Sequence, residues 1–178
     1  MKASSFLITL SLMLPSLQAL SDCPRVLGQQ DDRRANAGCL IIRDQQVLLI
    51  THRWGDKLGV PGGTLERGEL AQCTAYRETL EETGLQVVVG ERVQVMKNGF
   101  HLYRCIPAES LPEGEPLLLP AQARLEVSDI GWYSLDELRQ KDWRFAYQFD
   151  LFMAVARKAM QSSSDSAAGD ATGGLQEK

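Results

Sequence analysis

Histidine is scarce in this chain, and no two cysteines are separated by just two residues. The 178 residues include two histidines, His52 and His101, and four cysteines, none of them in a Cys-x-x-Cys pair. Because zinc sites draw on closely spaced cysteine and histidine ligands, this pattern argues against a zinc-binding module. The net charge of −4 leaves no basic excess for nucleic-acid phosphates, so nucleic acid is not an expected partner. An acidic protein can still act on phosphates when a divalent metal reverses the local field.

Long apolar runs are also absent, except at the N-terminus. Lys2 is followed by an apolar run over residues 6–14 and by small residues at Ala19 and Ser21. The run is shorter than the ~20 residues of a spanning helix. This layout is typical of a cleavable signal peptide over residues 1–21, which predicts a periplasmic or secreted protein with no stable membrane span after cleavage. Retention of the segment as an anchor stays open.

The four cysteines all follow the predicted signal peptide. Four cysteines in an exported protein allow three full pairings, and the sequence does not choose among them. Cys39 and Cys105 lie in predicted strands, so a bridge between them, or from Cys23 to either, is one hypothesis. Cys73 falls within a predicted helix, where a buried free thiol is the expectation.

The body of the chain alternates strand and helix patterns and shows no internal repeat. One domain is predicted over residues 37–160, with an N-terminal extension at residues 22–36 and a polar, disordered tail at residues 161–178. Asn98-Gly99 predicts a hairpin turn, and Ser134 with Glu137 predicts a capping box. The predicted strands are 37–44, 46–53, 85–97, 100–106 and 130–133, with the first two as a hairpin, and the predicted helices are 70–82, 134–140 and 144–160.

Three glutamates share one face of the helix predicted at residues 70–82. Glu78, Glu81 and Glu82 stand at helical spacing, so their carboxylates project together. Two like charges at ~4 Å repel by about 4 kcal/mol at an effective dielectric of 20, unless a cation joins them. Oxygen ligands of this kind suit Mg²⁺. The alternative is a solvated acidic face on which Arg77 and Glu81 form a surface pair.

The spacing of the whole stretch resembles the signature box of the Nudix hydrolase family, G-x5-E-x7-R-E-U-x-E-E-x-G-U, in which U is bulky and apolar. Thr79 is a mild departure, because an aliphatic residue is usual there. The Pro61-Gly62-Gly63 entry and the later Trp132–Leu135 segment also look similar to the family. The fixed positions of the box are occupied by Gly63, Glu69, Arg77, Glu78, Glu81, Glu82 and Gly84.

The resemblance implies an α/β (α+β) fold, an αβα sandwich around a mixed β-sheet. It also implies a metal-dependent enzyme, with Mg²⁺ or Mn²⁺, that hydrolyses the pyrophosphate bond of a nucleoside diphosphate linked to a moiety X, or of another organic diphosphate. By position, Glu78, Glu81 and Glu82 would bind the metal, with the Gly63 carbonyl as a further ligand. Arg77 would hold the carboxylates, and Glu69 would support the site or reach a metal through water.

Other residues are candidates for the base and for substrate contacts. A glutamate before the Trp-containing strand often serves as general base in this family, which points to Glu126, with Asp129 in reserve and Glu78 or Glu82 as further options. In the loop before the box, Arg53, Trp54 and Lys57 could contact phosphate or a ring, or be plain loop residues. Tyr103 lies where a tyrosine marks some family members, although a sheet residue is the commoner role.

The predicted export bears on the substrate. Nucleoside triphosphates are scarce outside the cytoplasm, so a nucleotide sugar, a dinucleotide cofactor or a polyprenyl diphosphate becomes the plausible small-molecule partner. Two alternatives remain: a Nudix-fold module that senses a nucleotide without cleaving it, and a member that acts on a short prenyl diphosphate. Many family members pair, so the resemblance also allows a homodimer.

Overall fold

A computed structural model of the chain describes residues 23–111 and 116–172, with side chains described as far as residue 162. The predicted signal peptide and residues 173–178 of the predicted tail lie outside the described residues. Within them, strands and helices alternate along the chain. The strands are β1 (Ala37–Leu40), β2 (Ile42–Arg43), β3 (Gln46–His52), β4 (Lys57–Gly59), β5 (Gly62–Gly63), β6 (Val87–Val95), β7 (His101–Pro107) and β8 (Val127–Ser134), and the helices are α1 (Ala71–Thr83) and α2 (Phe149–Thr172).

The strands form two four-stranded sheets. The first has the order β5-β1-β7-β6, in which β1 runs parallel to β7 and the other pairs are antiparallel. In the second, β3 pairs with β8 along its whole length, while β2 and β4 pair with its beginning and its end. In the first sheet, the short strand β5 pairs with β1. Strand β5 also lies next to α1, the helix that follows it in the chain.

Central strands bury side chains on both faces, which gives two hydrophobic cores. Because successive strand residues point to opposite faces, Leu48 and Ile50 of β3 lie in the core that includes α1. Val47 and Leu49 lie in the core that includes Phe152 of α2. The two helices therefore cover opposite faces, and the predicted αβα sandwich in the α/β (α+β) class is confirmed.

The first predicted strand, residues 37–44, is divided between the two sheets. Ala37–Leu40 pairs with β7 and β5, whereas Ile42–Arg43 pairs with β3. The predicted hairpin with residues 46–53 is therefore correct only for Ile42–Arg43, which turns through Asp44 and Gln45 at positive φ. Local apolar patterning could not show the change of sheet at Ile41, because the partner strands come later in the chain.

The other predicted elements are found with shifted ends. The β6–β7 hairpin turns at Asn98-Gly99 as predicted, and the Gly99 N–H donates to the Met96 carbonyl at 2.9 Å. The capping box of Ser134 is present, but the turn that it begins is a short 3₁₀ helix, Leu135–Glu137. Helix α1 begins one residue after the predicted start and ends at Thr83, where Gly84 caps it with a left-handed φ of 74°.

The C-terminal helix differs from the prediction at both ends. It begins at Phe149 instead of Arg144, because residues 140–148 form two 3₁₀ turns, Gln140–Asp142 and Ala146–Gln148. It continues to Thr172, although a disordered tail was expected from Gln161. A helix already fixed by its packed first turns gains one hydrogen bond for each residue added, so it can extend through weakly apolar sequence.

The N-terminal extension is attached to the domain along α1 and β6. Disulfides join Cys23 to Cys73 and Cys39 to Cys105. The expectation of a free Cys73 thiol is therefore wrong, since its partner comes from the extension, whereas the bridge between the β1 and β7 cysteines agrees with the hypothesis. No helix in the described part of the chain is long and apolar enough to cross a membrane.

Candidate functional site

The candidate site lies where the C-terminal part of α1 meets β5. Gly62 and Gly63 form β5, and the Gly62 N–H donates to the Glu82 carboxylate at 2.7 Å. A Cβ atom on Gly63 would collide with the carboxylate of Glu78. Because glycine has no side chain, the helix can approach the strand closely enough for its carboxylates to contact the backbone.

Arg77 holds the acids of α1 in position. Its Nε lies 3.0 Å from Glu69 Oε1, and its Nη1 lies 2.9 Å from Glu78 and 3.2 Å from Glu81. Its Nη2 donates to the Thr64 carbonyl at 2.9 Å and to the second Glu69 oxygen at 3.0 Å. All three guanidinium nitrogens are engaged, so Arg77 is a structural partner of the acids rather than a free cation in the cleft.

Glu69 is buried behind this arrangement, immediately before α1. It is 2% exposed and also accepts hydrogen bonds from Thr74 Oγ1 at 3.0 Å and from the Glu66 N–H at 3.1 Å. Burial alone would raise its pKa, but the hydrogen bonds from Arg77, Glu66 and Thr74 outweigh burial and hold the pKa below its usual value. Glu69 therefore remains a carboxylate that fixes Arg77.

Glu78 and Glu82 carry negative charge that the protein does not fully compensate. Burial raises the pKa of Glu78 in spite of its ion pair with Arg77, and nearby Glu81 and Glu126 add to the effect. Glu82 is 6% exposed, and burial, assisted by the charges of Glu78 and Glu126, raises its pKa to about 8. Both carboxyl groups therefore favour an added cation or a proton.

An open cleft of about 630 Å³ faces these carboxylates. Glu81 is 54% exposed at its edge, and the exposed Glu126 side chain approaches from the segment before β8. The residues that line the cleft are His52, Trp54, Gly62, Gly63, Thr64, Leu65, Glu66, Arg77, Glu78, Glu81, Glu82, Glu126 and Arg144. The structure thus brings together all the predicted metal-binding positions except Glu69, together with the candidate base.

The donor set fits a hard divalent cation by chemistry and by charge. Oxygen ligands are offered by the carboxylates of Glu78, Glu81 and Glu82 and by the backbone at Gly63. The raised pKa values of Glu78 and Glu82 indicate a local excess of negative charge. In residues 23–111 and 116–162, however, no three acidic, histidine or cysteine side chains already converge as a metal site. Glu81, which is bonded to Arg77, would have to rotate, and its exposure permits this.

The predicted substrate residues divide into two groups. Trp54 is 83% exposed and lines the cleft. Arg53 instead donates through Nε to the Arg124 carbonyl at 2.6 Å, and Lys57 donates to the Lys141 carbonyl at 2.7 Å, so neither side chain lines the cleft. The structure does not bring Tyr103 to the cleft either.

Tyr103 is 0% exposed in the core beneath α1. Its hydroxyl donates to Asp31 of the N-terminal extension at 3.0 Å, so the predicted substrate contact is not supported and the tyrosine serves the packing of the extension. Asp129, the reserve base, is exposed on β8 opposite Thr51 and does not line the cleft.

Several residues of the cleft were given no role in the sequence predictions, and two of them, His52 and Arg144, contact each other. His52 ends β3 just before the glycine-rich loop, and this position is the one signal that could have pointed to it. Arg144 lies between two 3₁₀ turns and was assigned to a helix, so no pattern marked it. The two side chains meet across 92 positions of sequence, which local patterning does not reveal.

Comparison with known proteins places this architecture in a family. The NUDIX domain model matches residues 32–152. This chain belongs to the Nudix family. The Nudix assignment covers the described fold from the N-terminal extension to the first turn of α2, and it includes every residue of the cleft.

Individual Nudix relatives are distant. A MutT-like protein of Streptomyces ambofaciens is 27% identical over 110 residues, which are 59% of this chain and 66% of that protein. The crystal structure of a UDP-X diphosphatase matches with a TM-score of 0.55 at 18% identity, covering 73% of this chain and 66% of that chain. This chain thus spans just under two thirds of the length of both. An ADP-ribose pyrophosphatase from Streptococcus suis 89-1591 matches with a TM-score of 0.50 at 20% identity, covering 71% of this chain and 91% of that chain.

Proposed function

We propose that this Nudix protein is a pyrophosphohydrolase that cleaves an organic diphosphate by attack of water at phosphorus. The observation that carries the proposal is the pair of incompletely compensated carboxylates, Glu78 and Glu82, held by Arg77 and by β5 at the wall of an open cleft. On a solvated acidic face, the carboxylates would be exposed and would not accept a hydrogen bond from the backbone of a neighbouring strand, as Glu82 does.

The residues predicted to bind the metal have the following roles in this proposal. Glu78, Glu81 and Glu82 would hold Mg²⁺ or Mn²⁺, with the Gly63 carbonyl as a further ligand, while Glu69 fixes Arg77. The bound ion would neutralise the diphosphate and lower the pKa of the attacking water. Because hydrolysis of a phosphoanhydride depends on positioning and charge stabilisation, a site built almost wholly of carboxylates and backbone is sufficient.

Glu126 is the proposed general base. It faces Glu78 and Glu82 across the same cleft, near enough to raise the pKa of both through its charge. Its exposed carboxylate, on a segment outside α1, can accept a proton from water without leaving the metal-binding set incomplete. Asp129, three residues later, does not line the cleft and is not proposed.

The proposed substrates are nucleoside diphosphates linked to another group X. The names of two matched structures, a UDP-X diphosphatase and an ADP-ribose pyrophosphatase, support this class. The exposed indole of Trp54 at the cleft provides a flat apolar surface against which a base or a sugar ring can stack. A prenyl diphosphate remains a substrate to be tested alongside them.

We also propose that the protein works outside the cytoplasm. The two disulfides support this, because such bonds persist in oxidising compartments and are rare in the cytosol. N-terminal sequencing of the protein from a periplasmic extract tests the proposal. A mature N-terminus close to residue 22 is expected, and a cytoplasmic protein that retains Met1 would contradict it.

A screen for cleavage products, separated by chromatography, tests the activity, because cleavage of a nucleoside diphosphate-X compound yields a nucleoside monophosphate and phosphorylated X. Nucleotide sugars, dinucleotides, nucleoside triphosphates and prenyl diphosphates are incubated with the protein and Mg²⁺ or Mn²⁺, beside Glu82→Gln. Metal-dependent cleavage of a nucleoside diphosphate-X compound is expected, with a loss of activity of at least ~100-fold in the variant. Tight nucleotide binding without turnover would favour a sensing module, and equal turnover by Glu82→Gln would remove the assigned site.

A further inference from the structure

Arg144 is held at the rim of the cleft by its backbone. Its N–H donates to the Leu58 carbonyl at 2.9 Å, and the neighbouring Trp143 pairs with Leu58 of β4. Trp143 is itself buried and stacks on Phe152 of α2 at 4.2 Å between ring centroids. The backbone position of Arg144 is therefore set by the sheet and by the second core.

The side chain lies where two cavities meet. It lines the acidic cleft of about 630 Å³ and also a smaller, mainly apolar cavity of about 60 Å³. His52 and Gly62 are shared by both linings as well. The guanidinium is near enough to Glu82 to lower the pKa of that carboxyl, yet no carboxylate of the described residues lies within ion-pair distance of it.

His52 is the side-chain partner of Arg144. Nη1 of Arg144 lies 3.2 Å from Nε2 and 3.4 Å from Nδ1 of His52, so a ring nitrogen without a proton accepts from it. Burial, together with the charge of Arg144, lowers the pKa of His52 to about 4. A neutral imidazole can orient the guanidinium without neutralising it.

The contrast with Arg77 shows which arginine can receive an anion. All three guanidinium nitrogens of Arg77 donate to three glutamates and the Thr64 carbonyl. Among the described residues, Arg144 donates a hydrogen bond through Nη1 alone, to the neutral ring of His52. Its guanidinium also lies 5.2 Å from the centroid of the Phe145 ring, which leaves its charge uncompensated. Its positive charge therefore remains available to an anion in a cleft whose lining also includes five glutamates.

We propose that Arg144, oriented by His52, binds the phosphate of the substrate that is farther from the carboxylates of α1. This rests on the proposed function, since it assigns a substrate contact within the same cleft. The planar guanidinium suits two phosphate oxygens at once. Arg144 is a binding residue in this scheme, and His52 is a positioning residue.

Methylenediphosphonate is the probe that tests the phosphate contact by itself. It has a P–C–P link that water cannot cleave, and it lacks group X. Calorimetric titration in Mg²⁺ should give a dissociation constant at least ~10-fold higher for Arg144→Gln than for wild type, with partial recovery in Arg144→Lys. For His52→Phe, which keeps a ring but removes the acceptor, an increase of about 3-fold to 10-fold is expected.

Arg139→Gln is the matched control. Arg139 belongs to the same segment before α2, but it donates to the carbonyls of Asp136 and Leu138 and lines neither cavity. Its removal should leave the dissociation constant unchanged. With the substrate found in the screen, Arg144→Gln should raise KM by a similar factor and leave kcat within about 3-fold, because a uniform binding contact acts on KM.

The outcomes separate this proposal from the proposed function. If wild type cleaves a diphosphate but Arg144→Gln and Arg144→Lys both bind methylenediphosphonate as wild type does, the assignment of Arg144 is overturned and the hydrolase stands. If wild type binds the probe through Arg144 but cleaves nothing, the hydrolase fails and the anion site stands. Absence of probe binding to wild type overturns the Arg144 assignment as well. Circular dichroism of each folded variant excludes a change caused by unfolding.

Discussion

Replacement of Glu82 by glutamine should stabilise the metal-free protein, and it should do so more strongly at alkaline pH. Burial, with added repulsion from Glu78 and Glu126, raises the pKa of Glu82 from 4.5 to about 8. Between these pH values the folded protein keeps a proton on Glu82 that the unfolded chain has lost. Folding stability therefore decreases as the pH rises through this window.

The size of the effect follows from the pKa difference. One pKa unit corresponds to about 1.4 kcal/mol, so the ionised Glu82 side chain costs up to about 5 kcal/mol of folding free energy above about pH 8. Near pH 5 the cost is below about 1 kcal/mol. The E82Q amide oxygen can still accept from the Gly62 N–H, which lies 2.7 Å from the wild-type carboxylate. The stability advantage of the variant should thus grow by about 4 kcal/mol between pH 5 and pH 8.5.

Urea unfolding followed by circular dichroism in EDTA measures this difference at each pH. Glu81→Gln is the matched control, because the Glu81 side chain is 54% exposed and its profile should stay within ~0.5 kcal/mol of wild type. Addition of Mg²⁺ at pH 8.5 should stabilise wild type much more than E82Q. Stability profiles of wild type and E82Q that remain parallel from pH 5 to pH 8.5 would refute the reasoning that Glu82 is buried without sufficient compensation.

Three further substitutions test the support of the site. Gly63→Ala should lower kcat/KM by ~100-fold or more, because the new Cβ displaces the Glu78 carboxylate; activity within 3-fold of wild type would contradict this. Arg77→Lys keeps the positive charge but removes the several N–H donors of the guanidinium. Urea unfolding should therefore show a decrease of about 2–4 kcal/mol in the free energy of unfolding. An unchanged free energy of unfolding would show that the ion pairs of Arg77 are dispensable for stability. The Cys23→Ala/Cys73→Ala double variant removes a cross-link between positions 50 residues apart. Its free energy of unfolding in urea should be lower by about 2–4 kcal/mol. If reduction leaves the free energy of unfolding of the wild type unchanged, the bond contributes nothing.

The sequence predicted best what depends on local spacing. Glu78, Glu81 and Glu82 lie on one helix that begins and ends within a residue of the prediction, and Gly84 caps it as expected. The reason is that helical periodicity and capping are properties of a few neighbouring residues. The gathering of Glu126 into the same cleft was also anticipated, but on the resemblance and not on spacing.

The predictions failed where distant segments decide the outcome. Tyr103 looked available to a substrate, but Asp31 of the extension covers it and accepts its hydroxyl hydrogen bond. Cys73 was expected to be a free thiol because its partner, Cys23, lies in an extension without any periodic pattern. Arg53 belongs to the predicted substrate loop, yet its side chain turns to a carbonyl 71 positions away. Neither the extension nor these long-range bonds leave a signal in a local window.

The close approach of α1 to β5 explains both the cost and the use of the buried acid. A Cβ on Gly62 would collide with the backbone of Ala37 and Gly38, so the pairing of β5 with β1 requires glycine there and brings the strand against the helix. That approach gives Glu82 its hydrogen bond from the strand and removes the water that would solvate its charge. The raised pKa and the affinity for a cation therefore have one cause, which is charge enclosed without enough compensation. A substitution that stabilises the metal-free protein must therefore weaken cation binding to a similar degree. In Glu82 and Glu78 variants, the change in the free energy of unfolding can be compared with the change in the free energy of cation binding. A difference between the two would reveal a contribution to cation binding that does not come from the enclosed charge.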